Sequence, residues 1–518
     1  MTDTGEIDLT TRTTQAKATD PLGSAWVSAN AGSGKTFVLS RRVMRLLLRG
    51  VDPARILCLT FTKAAAAEMA KRVFAELGRW TTIGDAELAA DIADIDGRSP
   101  PPEMLAPLLA QARRLFAKAL DTPGGLKIQT IHAFCERLLH QFPFEANVAG
   151  HFEVLDERNA VALKEEARRV VLARAAAGRD AVLGDALQAV LARVSDRTHD
   201  DSLKEFIEAG DAVGAWIVER GSLDRAIADL RRALDLAPAE TAAGLRRSVI
   251  DGVAFTDAEV ARLLAELRQG KPSDVSAAGR LTPFIESEVE DVRVNAWFDL
   301  FFTNGDLRAA VATKGIRDAW PGLEERLGAE GERLVALLDR IRTADLFDTT
   351  AAMLRLADGA IAEYDRLKRQ RGVLDFEDLV VRTAALLARA DASRWVHYKL
   401  DQGLDHILVD EAQDTSPRQW QVIRALAEEF FAGEGAGSGV RTLFAVGDEK
   451  QSIFSFQGAE PAWFSRVQRE LGVRARAATY QWEDLELHRS FRSVPRILAA
   501  VDAVFAAPQV HSGLTAEA

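Results

Sequence analysis

The stretch Ser24-Ala25-Trp26-Val27-Ser28-Ala29-Asn30-Ala31-Gly32-Ser33-Gly34-Lys35-Thr36-Phe37-Val38-Leu39 decides the fold. Residues 25–27 read as a short buried strand. Residues 31–34 form a glycine-rich turn, and from Lys35 to Leu48 apolar side chains recur at helical spacing. Residues 29–36 match the pattern G-x-x-x-x-G-K-[ST] with alanine in the first place. Glycines let backbone N–H groups turn toward an anion with no Cβ in the way. The helix that follows points its N-terminus at the same anion. This pattern predicts an ATP cradle made of Ala29, Asn30, Ala31, Gly32, Ser33, Gly34, Lys35 and Thr36. Lys35 would reach the β- and γ-phosphates, and the Thr36 hydroxyl would bind Mg²⁺.

Outward from this stretch the rhythm repeats. Asp52-Pro53 breaks the chain, residues 56–60 read as a second buried strand, and residues 64–77 are helical. Residues 97–102 (GRSPPP) form a loop, and residues 126–130 read as a strand leading into a helix that runs through Leu139. Alternating strands and helices signal an α/β fold: a parallel sheet with crossover helices. From about residue 156 to 370 the chain becomes rich in Ala, Leu, Arg and Glu with helical periodicity, a large, mostly helical insertion. Strand patterns return at 406–409 and, after the glycine-rich loop 433–439, at 442–446.

A nucleotide site also needs a carboxylate at a strand end. Ile407-Leu408-Val409-Asp410-Glu411 supplies two. Asp410 is placed to hold Mg²⁺, and Glu411 to orient or deprotonate an attacking water. Composition sets the outer bounds. The chain has 518 residues, of which 47% are hydrophobic and 27% charged, an ordinary globular balance. No apolar run is long enough for a membrane span. Two cysteines, Cys58 and Cys135, exclude a disulfide framework and a four-cysteine metal site, and fit a reducing cytoplasm. A net charge of −12 argues against nonspecific coating of nucleic acid by the whole surface, though not against a local basic groove.

Read together, these segments resemble the N-terminal motor portion of a superfamily 1 helicase of the UvrD/RecB type, nearest to the AddA branch. AddA proteins are the helicase–nuclease subunits of a complex that processes double-strand breaks. The resemblance rests on motifs in the family's order. Gln15 precedes Asp20-Pro21 where the family's adenine-reading glutamine lies. After it come SANAGSGKT at 28–36 (motif I), LTFTKAAAAEMAKRV at 59–73 (motif Ia) and IQTIHAFC at 128–135. LDFEDL at 374–379, VDEAQDTS at 409–416 (motif II), AVGDEKQSIFSFQGAEP at 445–461 (motif III) and LHRSFRS at 487–493 (motif IV) complete the set. The resemblance implies a P-loop NTPase of RecA-like fold. Motor domain 1A would occupy residues 1–155 and 381–482, helical domain 1B residues 156–380, and a truncated second RecA-like domain, 2A, would start at 483. It implies ATP-dependent 3′–5′ translocation on DNA in repair by homologous recombination, with ATP and Mg²⁺ as cofactors. Single-stranded and duplex DNA and an AddB-like subunit would be the partners.

Residue roles follow from the same resemblance. Gln451 would sense the γ-phosphate, and Arg492 would stabilise its charge as an arginine finger does. Thr60, Phe61, Thr62, His132 and Phe456 would line the single-strand track, where Phe61 and Phe456 offer faces for bases to stack on. Phe61 and His132 also read as residues of an ordinary core, and Phe454 reads more readily as core than as a base contact. Some positions depart from the pattern: Lys63-Ala64 and Ala67 in motif Ia shift its basic contacts, which with the long insertion favours the AddA branch, and Gln457 stands where arginine is common. Motifs V and VI do not occur before Ala518. The chain therefore reads as an N-terminal portion without a nuclease. Residues from about Glu483 onward, with Ile497 and Leu498 exposed, are expected to be poorly ordered. The alternative function is an ATP- and DNA-binding fragment without turnover of its own. A different P-loop ATPase class is disfavoured by Gln413, Asp414, Gly447, Asp448 and Gln451.

Overall fold

The computed structural model describes residues 9–510 apart from 98, 194–195, 390–395, 397–398, 400–402, 429, 432–439, 454–457 and 507–509. The chain divides into two compact units, one of residues 1–156 with 372–518 and one of residues 157–371.

The first unit is built on a six-stranded sheet. Its strands are β1 (Ser24–Ala29), β2 (Ile56–Thr60), β3 (Lys127–Thr130), β8 (His406–Val409), β9 (Thr442–Gly447) and β10 (Trp482–Leu487), in the order β10-β1-β9-β8-β2-β3. Every neighbouring pair is parallel. The strand sequences explain why. Ile56–Thr60, His406–Val409 and Thr442–Gly447 are buried at every position, the continuous apolar run of a strand covered on both faces. Side chains alternate between two cores. Leu57, Leu59, Ile407, Val409, Leu443 and Ala445 point into one, while Ile56, Cys58, Leu408, Phe444 and Val446 point into the other.

Helices Lys35–Leu48, Lys63–Thr82, Asp85–Asp96 and Pro102–Asp121 fill the second core. Helices Ile131–Gln141, Phe376–Ala388, Pro417–Glu428 and Ala462–Ala477 fill the first. The first core is anchored by Trp26, which is fully buried. Its ring lies 5.5 Å from that of Trp420, 4.8 Å from Phe464 and 6.3 Å from Trp482.

Two short parallel strands, β4 (Glu153–Val154) and β7 (Val373–Leu374), pair where the chain leaves for the second unit and returns from it. The second unit is helical except for the small antiparallel pair β5 (Phe302–Thr303) and β6 (Asp306–Leu307). Its spine is the helix Leu323–Arg371, 49 residues and so about 73 Å long. Three apolar clusters lie along this spine. The fully buried Trp297 donates through Nε1 to Glu330 Oε1 at 2.7 Å. Arg333 holds both oxygens of that carboxylate and also reaches the carbonyls of Ser248 and Val249. The buried charge is thereby paired and fully hydrogen-bonded.

Two expected limits fall elsewhere in the structure. Helix Phe376–Ala388 packs against helices Ile131–Gln141 and Pro417–Glu428 of the first unit, although the helical insertion was expected to run to residue 380. The limit at 482/483 cuts through β10, which pairs with β1 from Ser24↔Trp482 to Ala29↔Leu487 and so belongs to the first sheet. The physical reason is that β10 supplies Trp482 and Leu487 to the two cores. Beyond it, helix Pro495–Val504 buries none of its side chains, and Ile497 and Leu498 are exposed as expected. The glycine-rich loop 433–439 lies outside the described residues.

Candidate functional site

The C-terminal ends of parallel strands share one edge of the sheet, and that edge is where open α/β sheets bind ligands. β1 ends at Ala29 and leads into the turn 30–34. Gly32 (φ 73°) and Gly34 (φ 94°) both take left-handed backbone that side chains disfavour. The turn is closed by Ser33 N–H donating to the Asn30 carbonyl at 3.1 Å. No side chain caps helix Lys35–Leu48, so its first N–H groups are left for an external partner. Ser33 is buried, and its hydroxyl has no partner among the described residues. A phosphate group would supply acceptors for both.

The segment after β10 crosses this turn. Phe491 N–H donates to the Gly32 carbonyl at 2.8 Å, and Asn30 N–H donates to the Leu487 carbonyl at 3.2 Å. A Cβ on Gly32 would stand 2.5 Å from Arg492 Cβ and 2.7 Å from Ser490 Oγ. Glycine is therefore required there twice over, for its backbone conformation and for close approach. Arg492 itself is exposed.

β8, two strands from β1, brings the carboxylates. Asp410 is buried, its N–H bonded to the Leu59 carbonyl and its Oδ1 accepting from Glu411 N–H at 3.0 Å. Burial and the neighbouring Glu411 charge push its carboxyl up to about 6, against the pull of the Glu411 N–H and of Lys35. A buried carboxylate so placed gains from a bound cation. Glu411 adopts left-handed backbone (φ 48°, ψ 46°), costing roughly 1–2 kcal/mol for a non-glycine residue. Such strain is retained where surrounding contacts fix a functional side chain. The geometry here turns Glu411 toward β1: Lys35 Nζ donates to Glu411 Oε2 at 2.7 Å and to Gln451 Oε1 at 3.4 Å. Lys450, beside Gln451, donates to Asn30 Oδ1 at 3.1 Å.

The donor set suits Mg²⁺. Thr36 and Asp410 offer oxygen ligands, and Mg²⁺ takes one or two protein oxygens with phosphates and water supplying the rest. No cluster of three or more His, Cys, Asp or Glu side chains forms a self-sufficient metal cage among the described residues.

The other expected residues are distributed as follows. Gln15 is buried in helix Leu9–Ala18, and no contact from its side chain to the turn 30–34 is seen. Thr60, Phe61 and Thr62 follow the end of β2, on the same sheet edge as the glycine turn but three strands away, about 14 Å at ordinary spacing. The Thr60 hydroxyl is buried and donates to the Thr62 carbonyl at 3.1 Å. The Thr62 hydroxyl caps helix Lys63–Thr82 by accepting from Ala65 N–H. His132 opens the helix after β3, edge-on to Phe376 at 5.5 Å, and burial lowers its pKa and keeps the ring neutral. Phe456, like Phe454 and Gln457, lies outside the described residues.

Sequence reading missed the opposite end of the sheet. Arg42 is wholly buried, donating to the carbonyls of Ala18 (2.9 Å) and Gly23 and to Thr442 Oγ1 (3.1 Å). Arg45 holds the Ala16 carbonyl and Thr19 Oγ1. These two arginines fasten the Gln15 helix to the helix that begins at Lys35. The available signal was a pair of arginines on the otherwise apolar face of a helix.

The UvrD/REP helicase N-terminal domain family matches residues 9–234 and 326–472. The chain is also similar to proteins named as ATP-dependent helicase/nuclease subunits of the AddA type. It is 27% identical to that of Pelotomaculum thermopropionicum over 93% of this chain and 37% of the relative. It is 29% identical to that of Desulforudis audaxviator over 92% and 38%, and 27% identical to that of Latilactobacillus sakei over 90% and 51%. The chain thus spans 37–51% of the length of these curated relatives. Among the described residues no helix is long and apolar enough to cross a membrane. The family match covers well over half of the chain and includes the glycine turn and the Asp410–Glu411 strand end, and the protein belongs to the UvrD/REP helicase family.

Proposed function

We propose that this chain is the ATP-driven motor portion of an AddA-like DNA helicase, moving 3′ to 5′ on single-stranded DNA in double-strand-break repair in the cytoplasm. An AddB-like subunit is the proposed partner. The observation that carries the reading is the convergence of Lys35, Glu411 and Gln451 within hydrogen-bond reach beside the glycine turn.

Each residue has a task that its chemistry suits. Backbone N–H groups of residues 32–36 and the Lys35 ammonium bind the phosphates. Glu411 orients the water that attacks the γ-phosphate and accepts its proton. Gln451 reports the γ-phosphate, and Arg492, in the segment that crosses the turn, stabilises charge on it. Thr36 and Asp410 would hold Mg²⁺, which when bound neutralises phosphate charge. Gln15 is assigned to the adenine. Thr60, Phe61, Thr62, His132 and Phe456 are assigned to the DNA track, and a neutral His132 suits stacking or a hydrogen bond rather than a phosphate ion pair. Stacking on aromatic faces is worth roughly 1–3 kcal/mol per base. A duplex step costs about 1.4 kcal/mol to open. Base contacts therefore offset much of the melting cost, and ATP gives the motion its direction.

The test is the ATP turnover rate with and without single-stranded DNA, beside a Lys35→Ala control. The expected result is turnover that rises with DNA and disappears in the control. Lys35-dependent nucleotide binding without turnover would reduce the chain to an ATP- and DNA-binding module. Turnover indifferent to Lys35 would overturn the assignment.

A further inference from the structure

Gln413 sits where three strand ends meet and is 1% exposed. Its Nε2 donates to Glu411 Oε2 at 2.9 Å and to Asp414 Oδ2 at 3.0 Å, and its Oε1 accepts from the Asp448 backbone N–H at 2.9 Å. Every hydrogen-bonding position of the amide but one lone pair is engaged, and the flipped amide would put its oxygen against two carboxylates. Asp448 in turn accepts from Gln451 Nε2, and Gln451 Oε1 accepts from Lys35. Lys35 returns to Glu411. The five residues Lys35, Glu411, Gln413, Asp448 and Gln451 close a ring that spans the ends of β1, β8 and β9. Gly447 makes room for it: a Cβ there would lie 2.7 Å from Gln413 Oε1.

One atom in the ring has two donors. Glu411 Oε2 accepts from both Lys35 and Gln413. Lys35 cannot give itself to a phosphate without loosening its bond to Glu411, and a carboxylate stripped of donors is costly in a partly buried place. We infer that Gln413 is a positioning residue. It is the donor that keeps Glu411 satisfied and aimed when Lys35 turns to phosphate, and it ties that carboxylate to the Asp448–Gln451 turn. The inference rests on the nucleotide-site reading above. Without Gln413, Glu411 has Lys35 as its remaining partner in the ring and competes harder with nucleotide for it.

The experiment is equilibrium binding of Mg·ATP to the full chain in a cycle of parent, Gln413→Leu, Glu411→Gln and the double variant, with Lys35→Ala as control. Gln413→Leu is expected to weaken ATP about tenfold, the loss of one hydrogen bond to a charged group. In the Glu411→Gln background the same change is expected to cost less than about twofold, because a neutral amide at 411 does not compete for Lys35. Gln413→Asn keeps the buried space polar but is one methylene too short to bridge, and it should follow the same pattern if the leucine variant does not fold. An equal loss in both backgrounds would show a packing role only and overturn the inference, as would no loss in either variant at 413. Lys35→Ala binding ATP as the parent does would instead bring down the nucleotide reading, and the inference with it.

Discussion

Gly32 carries two constraints in one residue. Its φ of 73° disfavours any side chain, and a Cβ would collide with Arg492 Cβ and Ser490 Oγ. Gly32→Ala is expected to cost about 1–3 kcal/mol in urea denaturation and to loosen the segment 490–492 from the turn. A variant as stable as the parent would show that this segment does not rest on Gly32. His406 is the second residue with a measurable signature. Burial and the Arg42 charge lower its pKa from 6.5 to about 4, with Asp405 opposing, and its Nδ1 lies 2.8 Å from the Thr442 hydroxyl that Arg42 also holds. The folded ring stays neutral to about pH 4, whereas the unfolded ring takes up a proton near 6.5. The unfolded state then binds more protons in that window, so stability falls as pH drops from 6.5 toward 4, on the order of 3 kcal/mol in all. His406→Gln should make the loss between pH 7.5 and pH 5 smaller by about 2 kcal/mol in urea denaturation. An unchanged pH dependence would contradict the neutral buried ring. The glycine turn and the Asp410–Glu411 pair were legible because special backbone and buried acids need particular residue types. Gln413 was legible as a motif letter but not as a bridge, since its three partners come from two strand ends that only the sheet brings together.

At the scale of elements, legibility followed burial. Strands Ile56–Thr60 and His406–Val409 and helix Lys35–Leu48 lie where the sequence pattern placed them, because a fully buried strand or a strongly amphipathic helix writes its period into the chain. β10 was missed for the opposite reason. It is an edge strand, Trp-Glu-Asp-Leu-Glu-Leu, with buried ends and exposed acids between them, and its one partner is β1. Charged edge residues blunt pairing with other chains and also hide the strand from a search for apolar runs. Helices Asp85–Asp96 and Pro102–Asp121 went unread as well, because one is short and acidic and the other starts inside a proline-rich stretch taken for loop. The pairing of β10 changes what limited proteolysis should show. Early cuts are expected after Leu487, in the exposed stretch that includes helix Pro495–Val504, with residues 482–487 protected like the rest of the sheet. Early cuts between Trp482 and Leu487 would contradict the six-stranded sheet.

For the molecule as a whole, the sequence separated a sheet-based unit from a helical one by composition, and it placed the limits less well. Composition drifts across a boundary, whereas the β4–β7 pair fixes it at single residues. Residues 235–325, which the family match leaves out, hold most of one apolar cluster of their own around Trp297, and that core is invisible to motif reading. The net charge of −12 was no guide to the site, because the chemistry depends on one lysine and a few carboxylates at a single sheet edge. The central claim is that this edge is a nucleotide site. Equilibrium binding of Mg·ATP to the full chain and to Lys35→Ala tests it most directly. We predict that the parent binds and that removing the ammonium weakens binding about a hundredfold, the worth of a charge-assisted contact to phosphate. Equal affinity in the two proteins would contradict the account.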